Sequence, residues 1–172
     1  MRFKINEIGA EGLALQVPIT AEWLAAACPQ LDARPGQRGL TLSGRIVKAG
    51  DDYLLRATLS GDLETPCARC LEPASVPVDV SLAVTFVPSD VGDLSDDEDP
   101  DVVGFGGGEI DVSDELRDEI VLAMPINPLC TESCRGLCPV CGGNRNQVAC
   151  TCEADRAVPP STRLTGLAKI KL

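Results

Sequence analysis

The run from Cys130 to Cys152, CTESCRGLCPVCGGNRNQVACTC, holds six of the chain's nine cysteines. Their spacings are C-x3-C, C-x3-C, C-x2-C, C-x8-C and C-x-C, and a further C-x2-C pair, Cys67-Ala68-Arg69-Cys70, lies upstream. Zinc takes four thiolates tetrahedrally at about 2.3 Å, so four sulfurs must converge on one point. A C-x2-C knuckle supplies two of them from one tight turn. Pro139 and the Gly142-Gly143 step suit such a turn, because proline presets the bend and glycine tolerates positive φ. Eight cysteines taken in pairs make two sites of four. Cys138, Cys141, Cys150 and Cys152 form a compact local set, which leaves Cys67, Cys70, Cys130 and Cys134 as a long-range set that pins the C-terminal segment to the part before it. The expected cofactor is therefore Zn2+, one or two ions per chain.

A disulfide framework is the competing reading, and it belongs to short secreted chains. The opening MRFKINEIGAEG has no apolar signal core, and no stretch reaches the roughly 18 apolar residues of a membrane span. Zinc, a cytoplasmic location and no membrane partner are the expectations that follow. Catalytic thiols are a third reading. The chain contains no histidine, which removes any Cys–His pair. All-cysteine metal sites keep no open coordination position, so they are structural rather than catalytic. With no nucleophile–base pair either, the sequence predicts no enzyme activity and no small-molecule substrate. Cys28, the ninth cysteine, stands apart and reads as a small buried residue on an apolar helix face.

The chain has 172 residues, enough for one domain with an appendage, and 44% of them are apolar but only 3% aromatic. The core must rest on Val, Leu, Ile and Ala, and metal staples would compensate for a thin one. The net charge of −11 argues at face value against nucleic acid. Its distribution changes that reading. Residues 88–109 carry eight acids (Asp90, Asp93, Asp96, Asp97, Glu98, Asp99, Asp101 and Glu109) and no base, whereas residues 130–172 carry six bases against three acids. The cysteine-rich end is mildly basic, which permits RNA contact.

Apolar alternation predicts strands over residues 2–8, 13–17, 40–48, 53–65 and 76–87, and the Ala49-Gly50-Asp51-Asp52 connection marks a hairpin. Leu40, Leu42, Gly44 and Ile46 share one face of their strand, and Tyr53, Leu55, Ala57 and Leu59 one face of the next. Pro77 suggests a sheet edge at that level. Thr20 caps a short helix ended by Pro29, and residues 110–124 read as a second helix capped by Asp111 or Ser113. In that helix Asp114 and Asp118 fall on a solvated face rather than forming a catalytic pair. Residues 32–39 read as a loop, and residues 88–108 as a mobile acidic, then glycine-rich loop. A phosphate cradle at GFGGG is the functional alternative, weakened by the missing GK[ST] and the adjacent acids. The expected fold is α+β: an antiparallel β-meander or small barrel-like sheet with few helices and a cysteine-rich zinc-binding C-terminal segment. It divides into a β-rich domain over 1–87, an acidic loop over 88–109, and a helix, cysteine segment and basic tail over 110–172 that pack on the first part.

Several motifs in order carry a resemblance. They are Cys67-x-Arg69-Cys70 after the meander, Pro125-Ile126-Asn127-Pro128-Leu129-Cys130, Cys134, Gly136-Leu137-Cys138-Pro139, Cys141-Gly142, Asn144, Asn146, Cys150, Cys152 and the tail from Arg163 to Leu172. The chain resembles the YceD family, the large ribosomal RNA subunit accumulation proteins. Arg145 departs from the family's G-x-N-L-N, where a leucine is usual. The resemblance implies a cytoplasmic, non-enzymatic ribosome-biogenesis factor associated with ribosomal RNA or a pre-ribosomal particle, and ribosomal proteins as possible partners. Candidate RNA contacts are Arg69, Arg135, Arg145, Arg156, Arg163, Lys169 and Lys171. No stacking aromatics accompany them, which speaks against base-specific readout. The alternative is a zinc-stabilised adaptor that binds a basic ribosomal protein. A redox or metal-sensing switch is a further reading, disfavoured because compact all-thiolate zinc sites are neither labile nor reactive.

Overall fold

Alternating apolar residues on two long strands generate the sheet. A computed structural model of the chain describes residues 1–88, 101–150 and 152. In it β3 (Arg34–Ala49) and β4 (Asp52–Pro66) pair antiparallel, with Leu42 opposite Leu59, Gly44 opposite Ala57 and Ile46 opposite Leu55. The apolar residues of both strands therefore lie on one face, as the period of two requires. On one side of this hairpin β2 (Leu13–Pro18) pairs with β3, and on the other β5 (Pro73–Pro88) pairs with β4 along its whole length, from Tyr53 opposite Phe86 to Pro66 opposite Pro73.

The apolar face is covered by two helices, α1 (Ala21–Ala27) against β3 and α2 (Ser113–Ala123) against β5. Thr20 caps α1 by accepting the Trp23 N–H at 3.1 Å. Leu24 from α1 and Leu116 and Ile120 from α2 join Leu42, Leu55, Leu59 and Phe86 in one buried cluster. Cys28, at the C-terminal end of α1, belongs to it and is fully buried, and burial pushes its thiol above the ordinary range. Arg117 sits between Asp114 and Asp118 on the outer face of α2 and pairs with both. No helix among the described residues is long and apolar enough to cross a membrane.

The strand read over residues 2–8 stops at Lys4 and gives way to a 3-10 helix over Ile5–Glu7, and the N-cap of the second helix is Val112 rather than Asp111 or Ser113. Three larger expectations also need correction. The meander β2-β3-β4-β5 is present, but β6 (Val102–Phe105) adds to β5 in parallel. The resulting five-stranded sheet is open, with β2 and β6 at its ends and no pairing between them, rather than barrel-like. Second, the segment read as loop over 88–108 contributes β6, and its glycines make the turn into β7 (Glu109–Asp111), with Gly107 and Gly108 at φ 67° and 77°. β7 pairs with β1 (Arg2–Lys4), so the chain's first residues and the start of α2 are held together. Residues 89–100 lie outside the described residues. Third, residues 34–39 are strand, not loop. A register shift between Pro35 and Leu40 curls this end over β4 and buries Asp62, whose carboxylate accepts the Arg38 N–H at 2.9 Å and the Ser75 hydroxyl at 3.1 Å. That buried acid is what a polar-looking segment conceals: its partners lie on two other strands, out of reach of local pattern.

Candidate metal centres

The β4–β5 hairpin ends in the knuckle Cys67-Ala68-Arg69-Cys70. Its backbone closes in three hydrogen bonds. The Cys67 N–H donates to the Glu72 carbonyl at 2.8 Å and the Leu71 N–H to the Cys67 carbonyl at 3.0 Å. The Arg69 N–H points at the Cys67 Sγ, 3.4 Å away. Leu71 takes a left-handed conformation, φ 64°, so that the turn can close.

The tip then grips the segment after α2. Ala68 N–H donates to the Pro128 carbonyl at 2.8 Å, Leu137 N–H to the Arg69 carbonyl at 2.9 Å, and the Arg69 guanidinium to the Cys134 carbonyl at 2.9 Å. These contacts bring Cys130 and Cys134 onto Cys67 and Cys70. The four sulfurs lie within 4.8 Å of one another, with Cys67 3.8 Å from Cys134 and Cys70 3.5 Å from Cys130. A disulfide requires about 2.05 Å, and all nine cysteines are free. A tetrahedron with metal–sulfur bonds of about 2.3 Å has edges of about 3.8 Å, close to the 3.8 and 3.5 Å of these two pairs.

The second set is Cys138, Cys141, Cys150 and Cys152, again within 4.8 Å. Its knuckle repeats the first. Cys138 N–H donates to the Gly143 carbonyl at 2.8 Å, Gly142 N–H to the Cys138 carbonyl at 2.9 Å, and the Val140 N–H lies 3.4 Å from the Cys138 Sγ. Gly142, at φ 73°, occupies the place of Leu71.

Within each set the thiols are pushed in opposite directions. Burial pushes the Cys67 thiol up, but the N–H groups of Cys130, Arg69 and Cys70 outweigh it and hold the thiol at about 6. The Glu72 N–H favours the Cys70 thiolate, yet burial and the neighbouring sulfurs of Cys130, Cys134 and Cys67 push this thiol up to about 12. The N–H groups of Cys141 and Val140 hold Cys138 at about 6, while the sulfur of Cys141 and burial push Cys152 up to about 11. Four thiolates this close repel one another, and a divalent cation between them removes the conflict.

Asn144 and Asn146, quoted in the sequence motif without a role, join the two sets. Asn146 Oδ1 accepts the Arg135 N–H at 2.8 Å, and its Nδ2 donates to the Cys134 Sγ at 3.3 Å and to Asn144 Oδ1 at 2.9 Å. The Asn146 amide is the largest influence holding Cys134 below the ordinary thiol range. Asn144 Nδ2 and Gln147 Nε2 both reach Glu72, beside the first knuckle, at 3.4 and 3.1 Å. The N-x-N spacing, in which Asn144 Oδ1 accepts the Asn146 N–H at 3.0 Å, was the local signal for such a turn.

Of the basic candidates, Arg135 is exposed in a cleft that Thr131, Ser133 and Gln147 also line. Arg69 is exposed and committed through one nitrogen to the Cys134 carbonyl, and Arg145 is half-buried. Arg156, Arg163, Lys169 and Lys171 lie outside the described residues.

A family model described as Large ribosomal RNA subunit accumulation protein YceD matches residues 55–171. The chain is 31% identical over 103 residues to an uncharacterized protein of Mycobacterium tuberculosis, covering 60% of this chain and 50% of that protein. It therefore spans about half the length of these mycobacterial relatives. It is 28% identical over 114 residues to an uncharacterized protein of Bacillus subtilis, covering 66% of this chain and 63% of the relative. A match of 46 residues, 26% of this chain and 16% of the relative, is 44% identical to a Zea mays protein named large ribosomal RNA subunit accumulation protein YCED homolog 1, chloroplastic. No solved structure matches the chain.

Proposed function

Because the chain belongs to the YceD family, we propose that it is a non-enzymatic factor that supports accumulation of large-subunit ribosomal RNA. It acts in the cytoplasm by binding ribosomal RNA or a pre-ribosomal particle. The observation that carries this reading is that the family match, residues 55–171, includes both thiol sets and the basic residues beside them. Each set holds one zinc ion, with Cys67, Cys70, Cys130 and Cys134 as one group of ligands and Cys138, Cys141, Cys150 and Cys152 as the other. Zinc supplies the positive charge that lets four thiolates ionise together. The protein's part is positional. The sheet is the scaffold, and the candidate phosphate contacts are Arg135, Arg145, Arg156, Arg163, Lys169 and Lys171 in the sequence that follows α2, with Arg69 at the joint.

Ultraviolet crosslinking in the source cells, followed by sequencing of the attached RNA, tests it. Enrichment of one region of large-subunit ribosomal RNA is expected, with binding that weakens steeply as salt rises. Crosslinks no better than those of a control acidic protein would replace this reading with the adaptor one, in which the partner is a basic ribosomal protein.

A further inference from the structure

The two thiol sets are not independent, because one side chain belongs to both neighbourhoods. Asn146 lies in the loop between Cys141 and Cys150, so the second set fixes its position in the chain. Its amide nonetheless touches Cys134, a member of the first set. The orientation of that amide is determined. The Arg135 N–H can only donate, so it must meet Oδ1 (2.8 Å), which leaves Nδ2 facing the Cys134 Sγ at 3.3 Å. The backbone between Asn144 and Val148 is itself a closed turn, with the Gln147 and Val148 N–H groups both donating to the Asn144 carbonyl at 3.0 Å. From within that turn, the Arg145 N–H donates to the Gly136 carbonyl at 2.9 Å, which docks the turn beside the first set.

We infer that Asn146 is a positioning residue for the first metal centre, delivered by the loop that the second centre closes, so that filling the second centre strengthens metal binding at the first. The inference rests on the zinc reading of the two thiol sets. A thiolate that shares its charge with a hydrogen-bond donor keeps its orientation toward the metal, and loss of such an outer partner costs about 10–100-fold in metal affinity. Cutting the second centre should withdraw the same donor from a distance. By reciprocity, an ion at the first centre tightens the second by the same factor.

The test uses the full chain and cobalt(II), whose thiolate charge-transfer absorption reports filling of each centre, with chelator competition giving affinities. Asn146→Ala should weaken the first centre about 10-fold or more, and Cys150→Ser should weaken it comparably. The double variant should lose no more than either alone, because both remove one contact. Asn146→Asp separates donor from turn: it keeps the acceptor for the Arg135 N–H but loses the donor and adds a negative charge beside Cys134. It should therefore bind more weakly than Asn146→Ala. Circular dichroism of the sheet accompanies each variant to show that the fold is kept. Asn146→Asp at wild-type affinity, or losses from Asn146→Ala and Cys150→Ser that add in full, would overturn the inference while leaving both centres in place. A wild-type chain that binds no cobalt would instead remove the zinc reading and the inference with it.

Discussion

Two copies of one turn behave differently because of where each is built. The knuckles at Cys67–Cys70 and Cys138–Cys141 share the same three backbone contacts, down to an N–H 3.4 Å from the first sulfur and a left-handed residue one place past the second cysteine. The first sits at the tip of a long hairpin and takes its other two sulfurs from 60 and 67 residues away. Cys67, Cys70 and Cys134 are buried with Ala74, and Leu129 and Leu137 pack on them. The second is made from one short stretch, and only Cys138 is buried, with Cys141 exposed. The same local chemistry thus staples distant segments in one case and folds its own loop in the other. The small apolar cluster around the first set is separate from the main core, so the C-terminal segment is attached by this cluster, by the hydrogen bonds of the hairpin tip and, on the zinc reading, by the ion the four thiolates would share.

The largest expected effect follows directly. Structural zinc in a small site is worth about 10–16 kcal/mol of apparent binding free energy, and that energy is folding energy for whatever the site holds. Cys67→Ser should release residues 125–135 from the hairpin tip, seen as loss of amide hydrogen-exchange protection there, while β2 to β4 keep theirs. Cys150→Ser should leave the sheet and the docking of residues 125–135 intact, apart from weaker metal binding. The reverse pattern of protection would assign the staple to the wrong set.

Stripping the metal gives the next contrast. A chelator reaches an exposed ligand before a buried one, and Cys141 is exposed where Cys67 is fully buried. Zinc release should come in two phases, about one ion each, with the fast phase abolished by Cys150→Ser. Mass spectrometry under native conditions would count the ions, and a single phase for both would make the two centres kinetically equal.

Gly136 marks the seam between them. It is at φ 71°, and a Cβ there would stand 2.9 Å from the Arg69 carbonyl oxygen, which accepts the Leu137 N–H. Gly136→Ala therefore meets both backbone strain and a clash against the staple, a penalty of about 1–3 kcal/mol. Thermal unfolding should show it, with the loss falling on residues 67–72 and 125–138 rather than on the sheet.

Much of this was legible in the sequence, and the limits have physical causes. The pairing of β3 with β4 could be read from alternation and a short Gly-Asp connection, and the second thiol set from its compact spacing, which left the long-range set as the remainder. The open sheet could not be read, since the parallel partner of β5 is only Val102–Phe105, reached across an acidic stretch that masks it. The burial of Asp62 could not be read, because its partners, Arg38 and Ser75, sit on other strands. The asparagines were visible as a motif, but their sulfur partner becomes apparent only once the two knuckles are side by side.

The smallest effect tests how alike the two turns are. At the left-handed position one knuckle has Gly142 and the other Leu71, whose side chain is 66% exposed. A left-handed residue other than glycine costs roughly 1–2 kcal/mol, and a glycine gives back about 0.5–1 kcal/mol through the entropy of the unfolded chain. Leu71→Gly should then stabilise the hairpin tip by no more than about 1.5 kcal/mol, the net of those two terms. A Cβ at Gly142 meets nothing within 4 Å, so Gly142→Leu pays backbone strain alone and should weaken the second centre by a similar amount. Equal and opposite shifts in metal affinity for the two substitutions would mean that the knuckles are interchangeable turns in unequal settings. If Leu71→Gly instead destabilises the tip, the leucine contributes packing against Asp32, Ala33 and Pro73, which line the same cleft, and the first knuckle is specialised beyond its sulfurs.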